Sequence, residues 1–434
     1  MAKVRASWFT FGKIYPLCQT CPAFLADFFH LPSIVYFCPK FPPSGFMTNN
    51  IKDHFQRRFQ KSPLLIQAPG RFNLIGEHTD YNMGFVMPGA ISKRMCFALA
   101  LHEDSSLFEF EALDMGESCR FSQDQLTVKK AATWDSYVQA VLQEMYERGH
   151  AVQGIQCVFG GDIPIGAGLS SSAALCCGLA YGLSVLQNLN IEKREIALIG
   201  QAAEHRIGLN CGLMDQYAVL FGRQGHLLCL DCRSLDFQLL PLHLEGHALV
   251  LLNSRVKHQL AAGTGYNERR RSCENVVATL RLYNPALKSL RDVAPALLMA
   301  NEAMLDPLDC KRARYVLGEN ERVMQMADAL HNNDLQAIGD LLYQSHEGLR
   351  REYEVTVPEI DLLIDLAQKE SGVLGARMVG GGFGGCTLNL VKYDEKEALV
   401  QRISKAFLAE TGILPEVIAV ETGNGVEEVP GVLG

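Results

Sequence analysis

The chain has 434 residues, of which 48% are hydrophobic and 20% charged, with a formal net charge of −8. That length allows two or three domains around a sizeable core, and the acidic excess argues against broad binding to nucleic acid or anionic membranes. No apolar run approaches the roughly 20 residues that span a bilayer.

Residues 1–46 crowd aromatics and prolines together without a period and lack a clean signal-peptide pattern. They read as a disordered leader or upstream extension, with Met47 as the natural start and the cytoplasm as the default compartment. Residues 47–59 form an expected amphipathic helix with Asn50 as its N-cap. From Leu64 onward strand-like and helix-like runs alternate. The fold class is α/β of the α+β type, with mixed sheets packed by helices. Strands are expected at 64–68, 97–101, 107–112 and 155–160, and helices at 134–148, 173–189, 193–207, 269–283, 312–331 and 359–369. A domain change falls near the end of the strand-rich stretch HLLCLDCRSLDFQLLPL, dividing 47–235 from 236–434. Fourteen cysteines are scattered along the chain. The CxxC pairs Cys18–Cys21 and Cys229–Cys232 have no nearby helpers to complete a zinc site, so buried or reduced thiols are expected.

Four stretches carry chemistry. The first, APGRFNLIGEHTDYN, breaks an apolar strand at Pro69-Gly70. It then clusters Arg71, Glu77, His78 and Asp80, as a loop presented for binding would. Ionised carboxylates suit vicinal sugar hydroxyls, and the competing reading is a solvated charged loop. The second, DIPIGAGLSSSAAL, runs from glycines through three serines into a helix. It can bind a phosphate at the helix N-terminus and offer hydroxyls to Mg²⁺, or it is simply a capped helix. It lacks the lysine of a Walker A loop and the frame of a hydrolase elbow. The third, GARMVGGGFGGCTLNLV, satisfies G-x-G-x-x-G at Gly380, Gly382 and Gly385. The residues that follow alternate like a strand, which favours a close-packed glycine turn over the helix a dinucleotide fold requires. The fourth, LNCGLMDQYAVLFG, sets Asp215 among apolar residues, where it must meet a cation or cap a helix. Upstream, Glu204 is either a metal ligand or a surface charge, and Arg269 to Arg271 read as a solvated helix face.

These stretches, in this order, resemble the galactokinase family, within the superfamily that also holds homoserine, mevalonate and phosphomevalonate kinases. The resemblance spans the chain from about Ile51 to its C-terminal end. It implies a two-domain kinase with its active site between the domains, ATP and Mg²⁺ as cofactors, and galactose as substrate. On the family pattern Asp215 and Arg71 are catalytic, and Glu77, His78, Asp80, Gly212 and Tyr266 hold the sugar. Gly166, Ala167, Gly168, Leu169, Ser170, Ser171 and Ser172 wrap the ATP phosphates, Trp134 stands on the adenine side, and Ser172 and Glu204 lie near Mg²⁺. The implied reaction is phosphorylation of the anomeric hydroxyl. The alternatives are an N-acetylgalactosamine kinase and a non-catalytic sugar and ATP sensor. The intact Ser172-Ala173 pair favours catalysis, because regulator members of the family can lack it. No nucleic-acid or membrane partner is expected. The oligomeric state is open, and a monomer is compatible with the sequence.

Overall fold

The structure, a computed structural model, describes residues 44–430 apart from Ile165 and His258. The reading of the leader falls on residues 1–43 and lies outside the described residues. Helix α1 (Ser44–Phe59) leads into strand β1 (Leu64–Asn73), followed by β2 (Phe85–Val86), β3 (Pro88–Leu101), β4 (Leu107–Ala112) and β5 (Glu117–Ser122). Helix α2 (Trp134–Glu147), strand β6 (Ile155–Gly161) and helices α3 (Ser171–Leu186), α4 (Lys193–Arg206) and α5 (Met214–Phe221) come next. Strands β7 (His226–Asp231), β8 (Phe237–Pro241) and β9 (His247–Lys257) precede the helical stretch α6 (Gln259–Leu280), α7 (Pro295–Ala300), α8 (Pro307–His331), α9 (Leu335–Gly348) and α10 (Pro358–Gln368). The chain closes with β10 (Val373–Val379), β11 (Gly384–Lys392), α11 (Lys396–Thr411), β12 (Glu416–Ala419) and β13 (Glu427–Glu428).

Three sheets result, with orders β13-β1-β3-β6-β4-β5, β10-β11-β9-β12 and β2-β7-β8. All pairings are antiparallel except β4 with β6. Both faces of β1 are covered, which explains its nearly continuous apolar start. On one face Ile51 and Phe55 of α1 pack with Leu65, Ala98 and Val158. On the other lies α3, where a Cβ on Gly178 would stand 2.4 Å from the Phe97 ring and 2.8 Å from Ala68. That glycine lets the helix lie flat on the sheet and fixes where its N-terminus points. A separate core joins α6, α8 and the turn after α9, including Val276, Tyr315 and Tyr353. A third packs α10 and α11 on the four-stranded sheet through Leu363, Leu399 and Phe407.

Three sequence expectations are corrected. Asn50 is not an N-cap, because α1 starts at Ser44 and runs through it. Buried Thr48, which accepts from the Gln67 side chain at 2.5 Å, ties the upstream turn to β1. The strand does not end at Pro69-Gly70. Proline cannot donate to the ladder, and the result is a register shift between Pro69 and Arg71, after which pairing resumes at Arg71 with Ala90. Arg71 therefore stands on a strand. Finally, Arg269 is buried and not part of a solvated face, because it donates to the carbonyls of Tyr353 and Glu354 and covers the Phe383 ring. Arg271 is exposed, as the helical spacing requires.

Elsewhere the expected elements are present, most within a few residues of their expected ends. The residues after Gly385 form β11, so the glycine turn is a hairpin connection. Every cysteine among the described residues is a free thiol. No described helix is long and apolar enough to cross a membrane.

Candidate active site

The centre of the site is a fork between β1 and α5. Arg71 donates from Nε to Asp215 Oδ1 at 2.7 Å and from Nη2 to Oδ2 at 2.9 Å. Asp215 occupies the first turn of α5, so it meets a cation and a helix N-terminus together. Its side chain is 24% exposed while that of Arg71 is 5% exposed, so Asp215 is the more accessible member of the pair. The Ser170 hydroxyl also donates to Asp215 Oδ2.

Arg71 also binds the glycine loop. Its guanidinium donates from Nη1 to the Gly168 carbonyl, and its backbone N–H donates to the Leu169 carbonyl at 3.0 Å. With those two carbonyls turned toward Arg71, the trans peptide planes aim the N–H groups of Leu169 and Ser170 away from it. Gly166, Gly168 and Ser170 all have positive φ (73°, 75° and 58°), which folds the loop into a concave turn before α3 begins at Ser171. The close approach also explains Gly70, where a Cβ would come 2.8 Å from the Leu169 carbonyl. Glycine hairpin 380–385 packs against the same loop: a Cβ on Gly168 would meet the Val379 carbonyl at 3.3 Å, and one on Gly385 the Ala167 carbonyl at 3.7 Å.

Asp80 lies beside Asp215. It accepts from the Tyr81 N–H at 2.9 Å, and burial, then the neighbouring Asp215 charge, push its pKa up to about 6. Gly212 faces it so closely that a Cβ there would stand 2.1 Å from Asp80 Oδ2. The Gly212 loop is itself held, because the Cys211 carbonyl bonds His205 at 2.8 Å and Gln201 at 3.1 Å, and Arg270 donates to the Asn210 carbonyl at 3.0 Å.

His78 adopts a positive φ of 64°, a conformation kept mostly where surrounding contacts over-determine it. Its ring is packed by Tyr81, Tyr266 and Tyr353, with centroids at 5.8, 5.3 and 4.7 Å. Burial, then the Arg269 charge, lower its pKa to about 3, so the ring is neutral. Tyr266, on α6, thus meets the first motif through His78, and its phenol is held protonated mainly by burial. Glu77 is tied most tightly. It pairs with Arg377 of β10, accepts from Asn73 at 2.7 Å and from the Gly380 N–H at 3.1 Å, and burial raises its pKa to about 6 against the opposing Arg377 charge.

Glu204 ends α4 almost fully buried, so the surface-charge alternative is excluded. It accepts from Gln216 and from Cys211 at 3.4 Å. Burial, opposed by the nearby Ser172 hydroxyl, raises its pKa to about 7. A hydroxyl and a carboxylate at the start of α3 form the hard oxygen set that Mg²⁺ takes alongside phosphate oxygens. Among the described residues no group of three or more His, Cys, Asp or Glu could hold a metal by itself. Trp134 stands apart from this constellation. Its indole N–H donates to Glu117 at 2.7 Å and its ring meets Phe159 edge-on.

Arg377, Tyr81, Tyr353 and Gln216 were not singled out from the sequence. Arg377 had a readable signal of burial, since it interrupts a continuous apolar run and must be satisfied there, but nothing in the run names its partner. Tyr353 had none.

Comparison with known proteins identifies the family. The chain matches the galactokinase galactose-binding signature over residues 53–101 and the GHMP kinase N- and C-terminal domains over 136–223 and 326–409. It is 39% identical to the galactokinase of Roseiflexus sp. (strain RS-1), covering 88% of this chain and 97% of that one. It is 40% identical to the galactokinase of Glaesserella parasuis serovar 5 (strain SH0165), covering 89% and 100%. Among solved structures, Lactococcus lactis galactokinase complexed with galactose superposes with a TM-score of 0.84 at 31% identity, covering 88% of this chain and 99% of that one. A mevalonate kinase shares the fold at a TM-score of 0.58 and 17% identity, covering 83% and 99%. The three glycine-bearing motifs that meet around Arg71 and Asp215 are therefore those of a known enzyme family, and the chain belongs to the galactokinases.

Proposed function

We infer that this protein transfers the γ-phosphoryl group of ATP to the anomeric hydroxyl of galactose, giving α-D-galactose 1-phosphate and ADP. The observation that carries the reading is the Arg71–Asp215 fork, anchored to the glycine loop on one side and flanked by Asp80 on the other. A carboxylate offers about four lone-pair positions. Arg71 takes one on each Asp215 oxygen and Ser170 takes a second on Oδ2, which leaves one on Oδ1 for the sugar hydroxyl.

Asp215 orients that hydroxyl and accepts its proton as the oxygen bonds to phosphorus and the bond to the β,γ-bridging oxygen breaks. Arg71 holds the carboxylate in place and faces the charge on the transferring group. Phosphoryl transfer depends chiefly on such positioning and charge stabilisation. Asp80, His78 and Glu77, with Gly212 and Tyr266, form the sugar side. The N–H groups of residues 166–172 and the α3 N-terminus bind phosphate oxygens. Trp134 is assigned to the adenine side on family pattern alone. Ser172 and Glu204 would hold Mg²⁺, which when bound neutralises phosphate charge. We place the active site between two lobes that divide near residue 235, and the enzyme in the cytoplasm, where free thiols such as Cys211 and Cys273 stay reduced.

The test is ADP release by the purified protein with galactose, N-acetylgalactosamine, glucose and homoserine offered separately. Turnover with galactose alone is expected. Turnover mainly with N-acetylgalactosamine would move the specificity, and galactose binding without turnover would remove the catalytic roles.

A further inference from the structure

Helix α8 grips residues 76–85 by backbone atoms that the reaction scheme does not use. This segment closes on itself. The Thr79 hydroxyl lies 2.8 Å from the Gly76 carbonyl and 2.5 Å from that of Phe85, and a Cβ on Gly76 would come 2.8 Å from the Phe85 carbonyl. Glu77, His78 and Asp80 stand between these two neck residues. Both neck N–H groups are taken by consecutive residues of α8: Gly76 donates to Glu319 Oε1 at 2.9 Å, and Phe85 donates to Asn320 Oδ1 at 2.8 Å. One turn earlier, the Tyr315 hydroxyl donates to the Glu77 carbonyl at 3.1 Å. A backbone N–H can only donate and a carbonyl can only accept, so chemistry fixes the direction of all three bonds. Glu319 is fully buried, and its remaining needs are met by the Ser345 hydroxyl on Oε1 and by Arg322 Nε on Oε2, both at 2.7 Å. Positions 315, 319 and 322 share one helix face, which lets these side chains brace one another. A glycine at 84 permits the close approach, because a Cβ there would stand 2.3 Å from Asn320 Oδ1.

We propose that Glu319, Asn320 and Tyr315 are positioning residues for galactose, acting as a clamp by which α8 holds the 76–85 turn where His78 and Asp80 meet the sugar. The sugar half of this proposal rests on the reading of those residues as galactose ligands. Three anchor points on one rigid helix fix both the place and the tilt of the turn, which two would not. Asp80 needs this, because its carboxylate is held by one bond, from the adjacent Tyr81 N–H, and so stands wherever the turn's backbone puts it. A displacement of about 1 Å in such a group costs roughly 10²-fold in rate. The glycine loop that faces ATP is held separately, by Arg71, so a loosened clamp acts on the sugar and spares the nucleotide.

Asn320 is only partly buried and its Nδ2 makes no hydrogen bond, so it can be changed with least damage to the core. Asn320→Ala removes the acceptor of the Phe85 N–H, whereas Asn320→Asp keeps an oxygen there on a side chain of the same size. The kcat/KM for galactose should fall about tenfold in the alanine variant and return to within threefold of wild type in the aspartate variant. The KM for ATP should stay within twofold in both. An equal loss toward both substrates, or unchanged galactose kinetics in Asn320→Ala, would overturn the positioning role. Amide exchange measured by NMR on the full-length protein reads the clamp without turnover. The Gly76 and Phe85 amides should exchange slowly in ligand-free wild type, and the Phe85 amide at least about tenfold faster in Asn320→Ala, as loss of its acceptor allows. Fast exchange of both amides in the wild type overturns the clamp, and decides alone should the alanine variant not fold. A wild type that does not phosphorylate galactose would remove the sugar reading, while the exchange rates would still decide whether α8 holds the turn.

Discussion

Replacing Gly212 by alanine is the most local perturbation of the proposed sugar side. The added Cβ would stand 2.1 Å from Asp80 Oδ2, 2.2 Å from Cγ and 2.6 Å from Cβ, so it meets the whole carboxylate and no single flexible tip. Real Cβ contacts stay beyond 3.0 Å, so Asp80 or the loop must yield by about 1 Å, the order of misplacement that costs roughly 10²-fold in rate. The loop resists, because Cys211 and Asn210 on the same turn are bonded to His205, Gln201 and Arg270. Asp80 is held by one bond, from the Tyr81 N–H at 2.9 Å, and is the part that moves. Gly212 is not at positive φ, so alanine adds no backbone strain, and the effect is steric. Steady-state kinetics should show kcat/KM for galactose falling about 10²-fold, with the KM for ATP within twofold. Overpacking should destabilise the fold by about 1–3 kcal/mol, readable in a thermal melt. Galactose kinetics within threefold of wild type would show that Asp80 is not held in a productive position by this contact, and the argument from the glycine would fail.

Asp215→Ala should abolish ADP release while ATP still binds in equilibrium titration, since the proposed reaction gives this residue the sugar and the glycine loop the ATP; near-normal kcat would remove it from the mechanism. Arg377→Met leaves Glu77 buried without its cation and should cost roughly 3–5 kcal/mol in urea unfolding, much of which Glu77→Gln added to it should restore. A double variant no more stable than the single one would show that the ion pair is not the cause. Asp80 has a pKa of about 6 in the fold against 3.8 as a free side chain, so the folded protein keeps a proton that the unfolded chain has released. The stability this contributes is full below pH 4 and is lost as pH rises through about 6. Asp80→Asn should therefore gain stability relative to wild type between pH 4 and 7 in melts of ligand-free protein, and a relative loss over that range would contradict the assigned burial.

What could be read from the sequence was what is local to it. The glycine loop, the turn at Gly380 and the strand after Gly385 are each written in fewer than about twenty consecutive residues, and their backbone needs are visible in the residue types. The partners that hold the site were not visible, because they are distant in sequence. Arg377 answers Glu77 from β10, and Tyr353 answers Tyr81 from the turn after α9. Arg269 went wrong for a related reason. Three consecutive arginines look solvated, yet a helix turns one of them inward, and only the carbonyls freed at Tyr353 and Glu354 make that burial tolerable. The bulge at Pro69 was misread as a strand end because proline marks both equally.

That misreading concerns the residue on which the site depends. A loop arginine could reach Asp215, but it could not fix where the phosphate loop lies. On β1, the Arg71 backbone N–H bonds the Leu169 carbonyl while its side chain bonds the Gly168 carbonyl and both oxygens of Asp215. On the proposed reading, a rigid strand thus sets the distance between the donors assigned to ATP and the carboxylate assigned to the sugar. Groups held in this way need no reorganisation as charge develops on the transferring group, which is the condition under which electrostatic stabilisation acts most strongly. The register shift before Arg71 belongs to the same device, since it re-aims the strand just where the loop must be met.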